Sequence, residues 1–348
     1  MLLATGPAAE RCLTVAQLVQ HNMANNQDLK ASGLFDVSHV TALVTGGATG
    51  IGLMITQALV SNGAKVYITS RREEVLDNAI KQYNTGPGSL HKLVGDVSSK
   101  EGALQLAKEI EQKEPNGIQL LVNNAGIARD STKFSANAVR YSSLFPPTFG
   151  CSCKCARLQA DHYCLQDGPP DMSSAEAISK YFLRSEESEW ADTFRTNVMG
   201  QYFMSIAFLP ILEKGGKQTP GYTSSVVNVS SISGAMKGSS MGQFAYGSSK
   251  AAFTHLSRML ATTFKDVKVR VNVIAPGVFP SEMTGGDSNK ANKTEMDMDS
   301  GNPAGRKGED GDMAATILFL AGKGGVFYNH QILYPDGGNT LAAPAVNN

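Results

Sequence analysis

Tyr246 and Lys250 stand four residues apart in Tyr246-Gly247-Ser248-Ser249-Lys250, a spacing that places both side chains on one helix face. A phenol in water titrates near about 10. An ammonium beside it favours the phenolate, so the pair can donate and accept a proton nearer neutrality. Tyr/Lys pairs at this spacing also occur on plain solvated helix faces, so the chemistry needs a ligand held next to them. Thr45-Gly46-Gly47-Ala48-Thr49-Gly50-Ile51-Gly52 offers one. Glycine permits a tight turn, close approach to a pyrophosphate and close helix–strand packing, and the helix that opens there presents N–H groups to phosphate. Because the string follows an apolar run and begins a helical stripe, it reads as a dinucleotide-binding turn.

Some 20 residues further on stands Tyr67-Ile68-Thr69-Ser70-Arg71-Arg72. An NAD site commonly has an acid at this strand tip for the ribose 2′-hydroxyl. Here Ser70 occupies the tip and two arginines follow, and guanidinium matches phosphate bidentately. The pattern favours NADP(H) as cofactor. The alternative is that Arg71 and Arg72 are solvated charges at a helix start, where the dipole disfavours them.

The elements that must position these residues follow from hydrophobic period. Val40–Val44 reads as a buried strand, and Ile51, Met54, Ile55, Ala58 and Leu59 recur with the period of a helix face. Val66–Ile68 is a second strand, residues 75–83 a second helix and Leu90–Val94 a third strand. Ser98 and Glu101 fit a capping box opening a helix through Ala103 and Ile110, and Ile118–Val122 is a fourth strand. Later come a helix over Glu189–Phe208, a strand at Val226–Val229 and a helix over Tyr246–Thr263. A strand follows at Val267–Ala275, then a helix over Asp312–Leu320 and a last strand at Gln331–Tyr334. The Val/polar alternation of the Val267–Ala275 strand predicts a partly polar face. The alternation of strand and helix predicts an α/β fold: one doubly wound Rossmann domain over 40–340, a seven-stranded, mostly parallel sheet with helices on both faces.

Composition sets outer bounds. The 348 residues are 42% hydrophobic and 18% charged, enough apolar material for a sizeable core. The 31 basic and 31 acidic residues cancel, giving no electrostatic ground for nucleic acid or an anionic membrane as partner. No run of 18 apolar residues predicts a membrane span. Residues 1–39 read as a flexible extension: Glu10 and Arg11 interrupt the apolar start, unlike a secretory signal. Residues 341–348 read as a tail.

In order along the chain, the motifs resemble the short-chain dehydrogenase/reductase family. They are Thr-Gly-x-x-x-Gly-x-Gly (Thr45 to Gly52), Asn-Asn-Ala-Gly (Asn123 to Gly126), an Asn in the next helix (Asn197), Ser-x-x-Gly (Ser231 to Gly234) and Tyr-x-x-x-Lys (Tyr246 to Lys250). Pro276-Gly277 and Asp336-Gly337-Gly338 complete the set. Within that family the stretches around Tyr246–Leu260 and Val273–Ser281 look most like 3-oxoacyl thioester reductases of rhamnolipid and fatty-acid type. The resemblance implies a carbonyl reductase: hydride from NADPH, a proton from Tyr246, the carbonyl oriented by Ser231, Lys250 on the nicotinamide ribose and Asn197 ordering a water relay to Lys250. It further implies cofactor contacts from Thr45, Gly46, Gly50, Ile51, Gly52, Ser70, Arg71, Asp96, Val97, Asn123, Ala125, Gly126, Tyr246, Lys250, Pro276 and Gly277, with Asn123 bracing the central strands. A small-molecule carbonyl substrate (ketone or acyl thioester) and a homodimer or homotetramer are implied too. An NAD(P)-dependent alcohol dehydrogenase of secondary metabolism and a silent nucleotide-binding member are the alternatives. Ser231 lies 15 positions before Tyr246, longer than the family's usual interval, and Ser230 is its rival for the serine role.

Two segments interrupt the rhythm. Residues 278–307, rich in Gly, Ser, Asn and Asp, read as a mobile, substrate-selecting loop. Residues 136–170 are foreign to the pattern and read as an insertion, a candidate for translated non-coding sequence, while Met23 is a second candidate start. The insertion holds Cys151, Cys153, Cys155, His162 and Cys164. Their spacing does not fit the Cys-x₂₋₄-Cys pairs of structural zinc sites, so no metal is expected. Cysteines confined to one stretch plus Cys12 give no distributed disulfide framework and point to a reducing, cytoplasmic setting.

Overall fold

The computed structural model describes residues 29–134, 168–296 and 301–342. All five cysteines and His162, and so the metal expectation and most of the 136–170 insertion, lie outside these residues, as does most of the 1–39 extension.

Seven strands form one sheet in the order β3-β2-β1-β4-β5-β6-β7. They are β1 (Thr41–Thr45), β2 (Lys65–Ser70), β3 (Ser89–Val94), β4 (Leu120–Asn123), β5 (Ser225–Val229), β6 (Arg270–Ile274) and β7 (Ile332–Leu333). Every pairing is parallel, so the sheet is wholly rather than mostly parallel. Parallel neighbours need crossovers, and these put helices on both faces. On one face lie α1 (Gly50–Ser61), α2 (Glu73–Tyr83) and α8 (Asp310–Ala321), burying Ile55, Leu59, Leu76 and Ile317 against Ala42, Val44, Val66 and Ile68. On the other lie α3 (Lys100–Lys113), α6 (Gln201–Gly216) and α7 (Phe244–Phe264), packing Leu106, Ile110, Phe208 and Phe264 on Leu43, Leu121, Val226 and Val271. Alternate residues of β1 thus serve opposite cores, which is why that strand reads as an unbroken apolar run. Two further helices, α4 (Ala175–Phe182) and α5 (Glu187–Phe194), precede α6.

Two local expectations change, and a third gains its physical reason. The cap of α3 is Ser99, whose Oγ accepts from the Gly102 N–H at 3.0 Å; Ser98 instead donates to the Asp96 carboxylate. The helix expected over 189–208 is divided by a π-turn at Arg195–Gly200 between α5 and α6. Such turns displace side chains from the α register and recur at functional sites, and this one contains Asn197. The polar face of β6 exists but is buried. The Arg270 guanidinium donates to the carbonyls of Thr223, Leu320, Gly325 and Tyr328. Asn272 bonds Tyr328 O and Gln331 N, so the polar row is satisfied rather than solvated.

The 278–296 part of the presumed mobile loop is docked. It forms a helical turn at Glu282–Gly285 and then runs across α2. Tyr83 donates to Ala291 O at 2.6 Å, and Asn292 donates to Ala48 O and Val75 O at 3.1 and 2.9 Å.

Candidate active site

The site forms where the carboxyl ends of the strands meet helix starts, the usual ligand crevice of an open α/β sheet. The turn from Thr45 leads directly from β1 into α1. A Cβ on Gly52 would lie 2.1 Å from Gly46 O and 2.4 Å from Asn124 Nδ2, so only glycine fits where the helix begins. Thr49, at the N-cap, makes no side-chain bond to the first turn of α1, and that turn carries no acid. Its N–H groups therefore face the crevice without a side-chain cap and fit an external anion. Ile51 is partly buried against the core beneath.

Thr45 ties this turn to the neighbouring strand. Its hydroxyl donates to Val122 O and accepts from the N–H groups of Asn124 and Ala125 at 2.9 and 3.0 Å. Asn124, which sequence reasoning passed over, donates to Thr45 O at 2.9 Å. Asn123 donates to Ser205 Oγ and Asn228 Oδ1, both at 2.9 Å, bracing β4 against β5 and α6 as expected.

At the tip of β2, Ser70 Oγ accepts from the Arg72 N–H. The Arg72 guanidinium pairs with Glu282 at 2.9 Å, leaving Arg71 as the exposed cation beside it. After β3, Asp96 closes a turn on Ser98, and Val97 is buried. On the far side, Pro276 O accepts from the Ile232 N–H, and the Gly277 N–H donates to Pro335 O. The first bond holds the Ser231 turn against the end of β6, and the second ties that end to the segment after β7.

Ser231, Tyr246 and Lys250 converge. The Ser231 hydroxyl lies on the Tyr246 side of its turn, near enough to oppose the upward push of burial on the phenol, while accepting from the Ser233 N–H at 3.1 Å. Ser230 faces away: its Oγ donates to Lys250 O at 2.9 Å and meets Thr254 Oγ1 at 2.8 Å. Lys250 is buried, its Nζ 5.7 Å from the centre of the Tyr246 ring and donating to Val229 O at 3.0 Å. Among the described residues that is its one hydrogen bond, so two of its three donors are unspent. Desolvation brings the ammonium down to about 8. Burial pushes the Tyr246 phenol up, and the Ser231 hydroxyl opposes that. The expected lowering of the phenol by Lys250 therefore does not emerge in the protein alone, where burial is the dominant influence on the phenol.

Asn197 is brought alongside by the π-turn. Its Oδ1 accepts from the Ile127 N–H at 2.8 Å, and its Nδ2 donates to Ile127 O and Ser249 Oγ at 2.8 and 3.0 Å. Both amide hydrogens are engaged, so the second lone pair of Oδ1 is the side chain's remaining capacity. A Cβ on Gly126 would lie 3.1 Å from that Oδ1 and 3.3 Å from Lys250 Nζ, so the glycine keeps the space between them open. Among the described residues no group of three His, Cys, Asp or Glu side chains is placed to hold a metal.

Two family models match the chain: "short chain dehydrogenase" over residues 40–149 and "Enoyl-(Acyl carrier protein) reductase" over 172–340. The chain is similar to a short-chain dehydrogenase/reductase, PhomF', of Diaporthe leptostromiformis, at 38% identity over 91% of this chain and 97% of the relative. It is also similar to the rhamnolipids biosynthesis 3-oxoacyl-[acyl-carrier-protein] reductase of Pseudomonas aeruginosa, at 31% identity over 87% and 97%. Among solved structures, the Pseudomonas aeruginosa RhlG/NADP active-site complex superposes with a TM-score of 0.66 at 28% identity, covering 88% of this chain and 98% of that one.

Proposed function

This chain belongs to the short-chain dehydrogenase/reductase family, and on that footing we propose that it reduces a ketone or 3-oxoacyl thioester to a hydroxyl with NADP(H), Tyr246 giving the proton. The observation that carries the reading is the buried Lys250 ammonium, 5.7 Å from the centre of the Tyr246 ring and with donors to spare, beside the Ser231 turn.

The residues present fit a dinucleotide. The uncapped start of α1 with Gly46, Gly50 and Gly52 would take the pyrophosphate, and Arg71 beside Ser70 a 2′-phosphate. Asp96 and Val97 would flank the adenine, while Ala125, Gly126, Pro276 and Gly277 would line the nicotinamide half. When bound, the reduced nicotinamide supplies hydride to the carbonyl carbon. Ser231 donates a hydrogen bond to the carbonyl oxygen and holds it beside the phenol. The Tyr246 O–H bond breaks as its proton passes to the developing alkoxide. Lys250, through its unspent donors, holds the ribose and stabilises the phenolate left behind. Asn197, at the space kept open by Gly126, holds a water that returns a proton toward Lys250. Positioning and preorganised donors supply most of the acceleration.

NADP over NAD rests on the absence of an acid at the tip of β2 and agrees with the NADP of the Pseudomonas complex. Partly exposed Met199, Tyr202 and Ile206 recur along one helical face, and Met259 is exposed on α7; these support a homodimer or homotetramer. No helix among the described residues is long and apolar enough to cross a membrane.

The test is oxidation of NADPH and of NADH against a panel of ketones and 3-oxoacyl thioesters, with Tyr246→Phe as control. Turnover with NADPH that vanishes in the variant, while nucleotide binding persists, supports the reading. Turnover only from alcohols with NAD places the chain among the alcohol dehydrogenases. Nucleotide binding without turnover on any substrate makes it a silent member.

A further inference from the structure

We propose that Asp130, 116 residues before Tyr246, is a positioning residue for it, acting as the cap of the helix that carries it. This deepens the reading of Tyr246 as proton donor and rests on it. Helix α7 begins without a cap of its own: Gln243, in the N-cap place, makes no side-chain bond, and the first turn has no acid. Free N–H groups and a positive dipole end at a helix start call for an acceptor there. Asp130 supplies it. One carboxylate oxygen accepts from the Ala245 N–H at 2.9 Å and the other from the Tyr246 N–H at 3.3 Å. These are the second and third positions of the helix, the pair that an ordinary N-cap side chain serves.

Asp130 does not act alone. Thr132 Oγ1 donates to Gly242 O at 2.8 Å, and the Phe134 N–H donates to Met241 O at 3.0 Å. Alternate residues of one short strip thus hold successive points of 241–246. The held stretch needs holding. Ser240, Met241 and Gly242 are consecutively left-handed, with φ of 51°, 60° and 85°, a conformation that side chains disfavour. This turn lies within the long interval between Ser231 and Tyr246. The direction in which the phenol leaves the backbone, and so its placement beside Lys250 and the Ser231 turn, is set at its own N–H by Asp130.

The test compares purified Asp130→Ala and Asp130→Asn with the native chain for kcat, KM, NADPH dissociation constant and the pH profile of kcat. Asp130→Ala is expected to lower kcat about thirtyfold or more, with KM and NADPH affinity within about threefold, since misplacement by a fraction of an ångström acts on the reacting geometry. Asp130→Asn keeps one acceptor for the Ala245 N–H and is expected to lose only about three- to tenfold. In both, the apparent pKa of the profile moves, because the phenol no longer lies beside Lys250 and the Ser231 turn in the native way. A cap that served only stability would lower the melting temperature and leave kcat per folded molecule and the pH profile native; that result overturns the proposal. So does a parallel fall of kcat and NADPH affinity. If Asp130→Ala does not fold, native kcat in Asp130→Asn overturns it by itself. Turnover retained by Tyr246→Phe removes the underlying reading of the site; native turnover in both Asp130 variants, with Tyr246→Phe inactive, removes this inference alone.

Discussion

The Lys250 ammonium donates to the Val229 carbonyl at 3.0 Å from a buried position, and among the described residues it has no acid beside it. Such a group is held for function at a cost in stability. Its folded pKa of about 8 lies below the ordinary lysine value of 10.5. Below pH 8 the folded state therefore bears the full penalty of a buried charge. The penalty fades as pH climbs from 8 to 10.5, where the unfolded chain still holds a proton that the folded one has released. Lys250→Met keeps the apolar stem and removes the charge. The nucleotide-free variant is expected to be more stable than the native chain at pH 7 by about 1–3 kcal/mol, with the gap shrinking toward pH 10. Denaturant melts at pH 7, 8.5 and 10 check this, and a variant less stable at every pH would contradict it.

Ser230 and Ser231, adjacent in sequence, separate cleanly in the fold. Ser231 Oγ turns to the Ser233 N–H on the phenol's side, whereas Ser230 is tied to Lys250 O and Thr254. Ser231→Ala is expected to reduce kcat about 10²-fold or more at nearly native stability, as loss of a donor to the reacting oxygen does. Ser230→Ala is expected to lose about 1 kcal/mol of stability and to keep most of the turnover. Paired kinetics and melts decide it; the opposite assignment of effects would exchange the two roles.

The strand–helix alternation made the architecture legible because parallel strands buried on both faces and amphipathic helices carry different periods. Tyr246, Lys250 and the Gly-rich turn were legible because each lies within a compact local motif. What stayed hidden is long-range. Asp130 and Tyr246 are 116 residues apart, and an isolated acid after a strand gives no local sign that it will cap a distant helix. The π-turn at Asn197 was also invisible, since one extra residue barely disturbs the hydrophobic period from Glu189 to Phe208. The docking of Asn292 on Ala48 O spans 244 residues, and its polar surroundings imitate a free loop. Arg270 and Asn272 announced a polar face but not its burial, because their carbonyl partners come from other segments.

Arg71 is the residue expected to bear the proposed preference for NADP(H). Arg72 is occupied by Glu282, while Arg71 stands exposed beside the tip of β2. Arg71→Ala is expected to weaken NADPH binding about 10- to 100-fold and to leave NADH within about twofold, the cost of one charge-assisted contact to phosphate. NADPH affinity should also fall with salt more steeply than NADH affinity does. Fluorescence titrations of both nucleotides at two ionic strengths test this, and equal weakening for both nucleotides would move the 2′-phosphate contact elsewhere.

His39 is expected to govern part of the loss of stability in acid. It lies just before β1, with both ring nitrogens buried and, among the described residues, unpartnered. Its ring meets that of Tyr222 edge-on at 4.8 Å, while the Tyr222 hydroxyl donates to Ala321 O. Desolvation holds the imidazole below its usual 6.5, with Asp36 opposing and Lys323 adding to the effect. The fold therefore keeps His39 neutral. As pH falls through 6.5, the unfolded chain takes up a proton that the folded chain refuses, and stability drops until the folded pKa is reached. His39→Phe preserves an aromatic ring against Tyr222 and removes the titration. Carboxylates elsewhere contribute alike in both proteins and cancel in the comparison. Between pH 7.5 and 5 the native chain should lose about 1 kcal/mol more than the variant. Urea midpoints at the two pH values measure that difference, and parallel losses in the two proteins would show that protonation of His39 is met by a partner in the folded state.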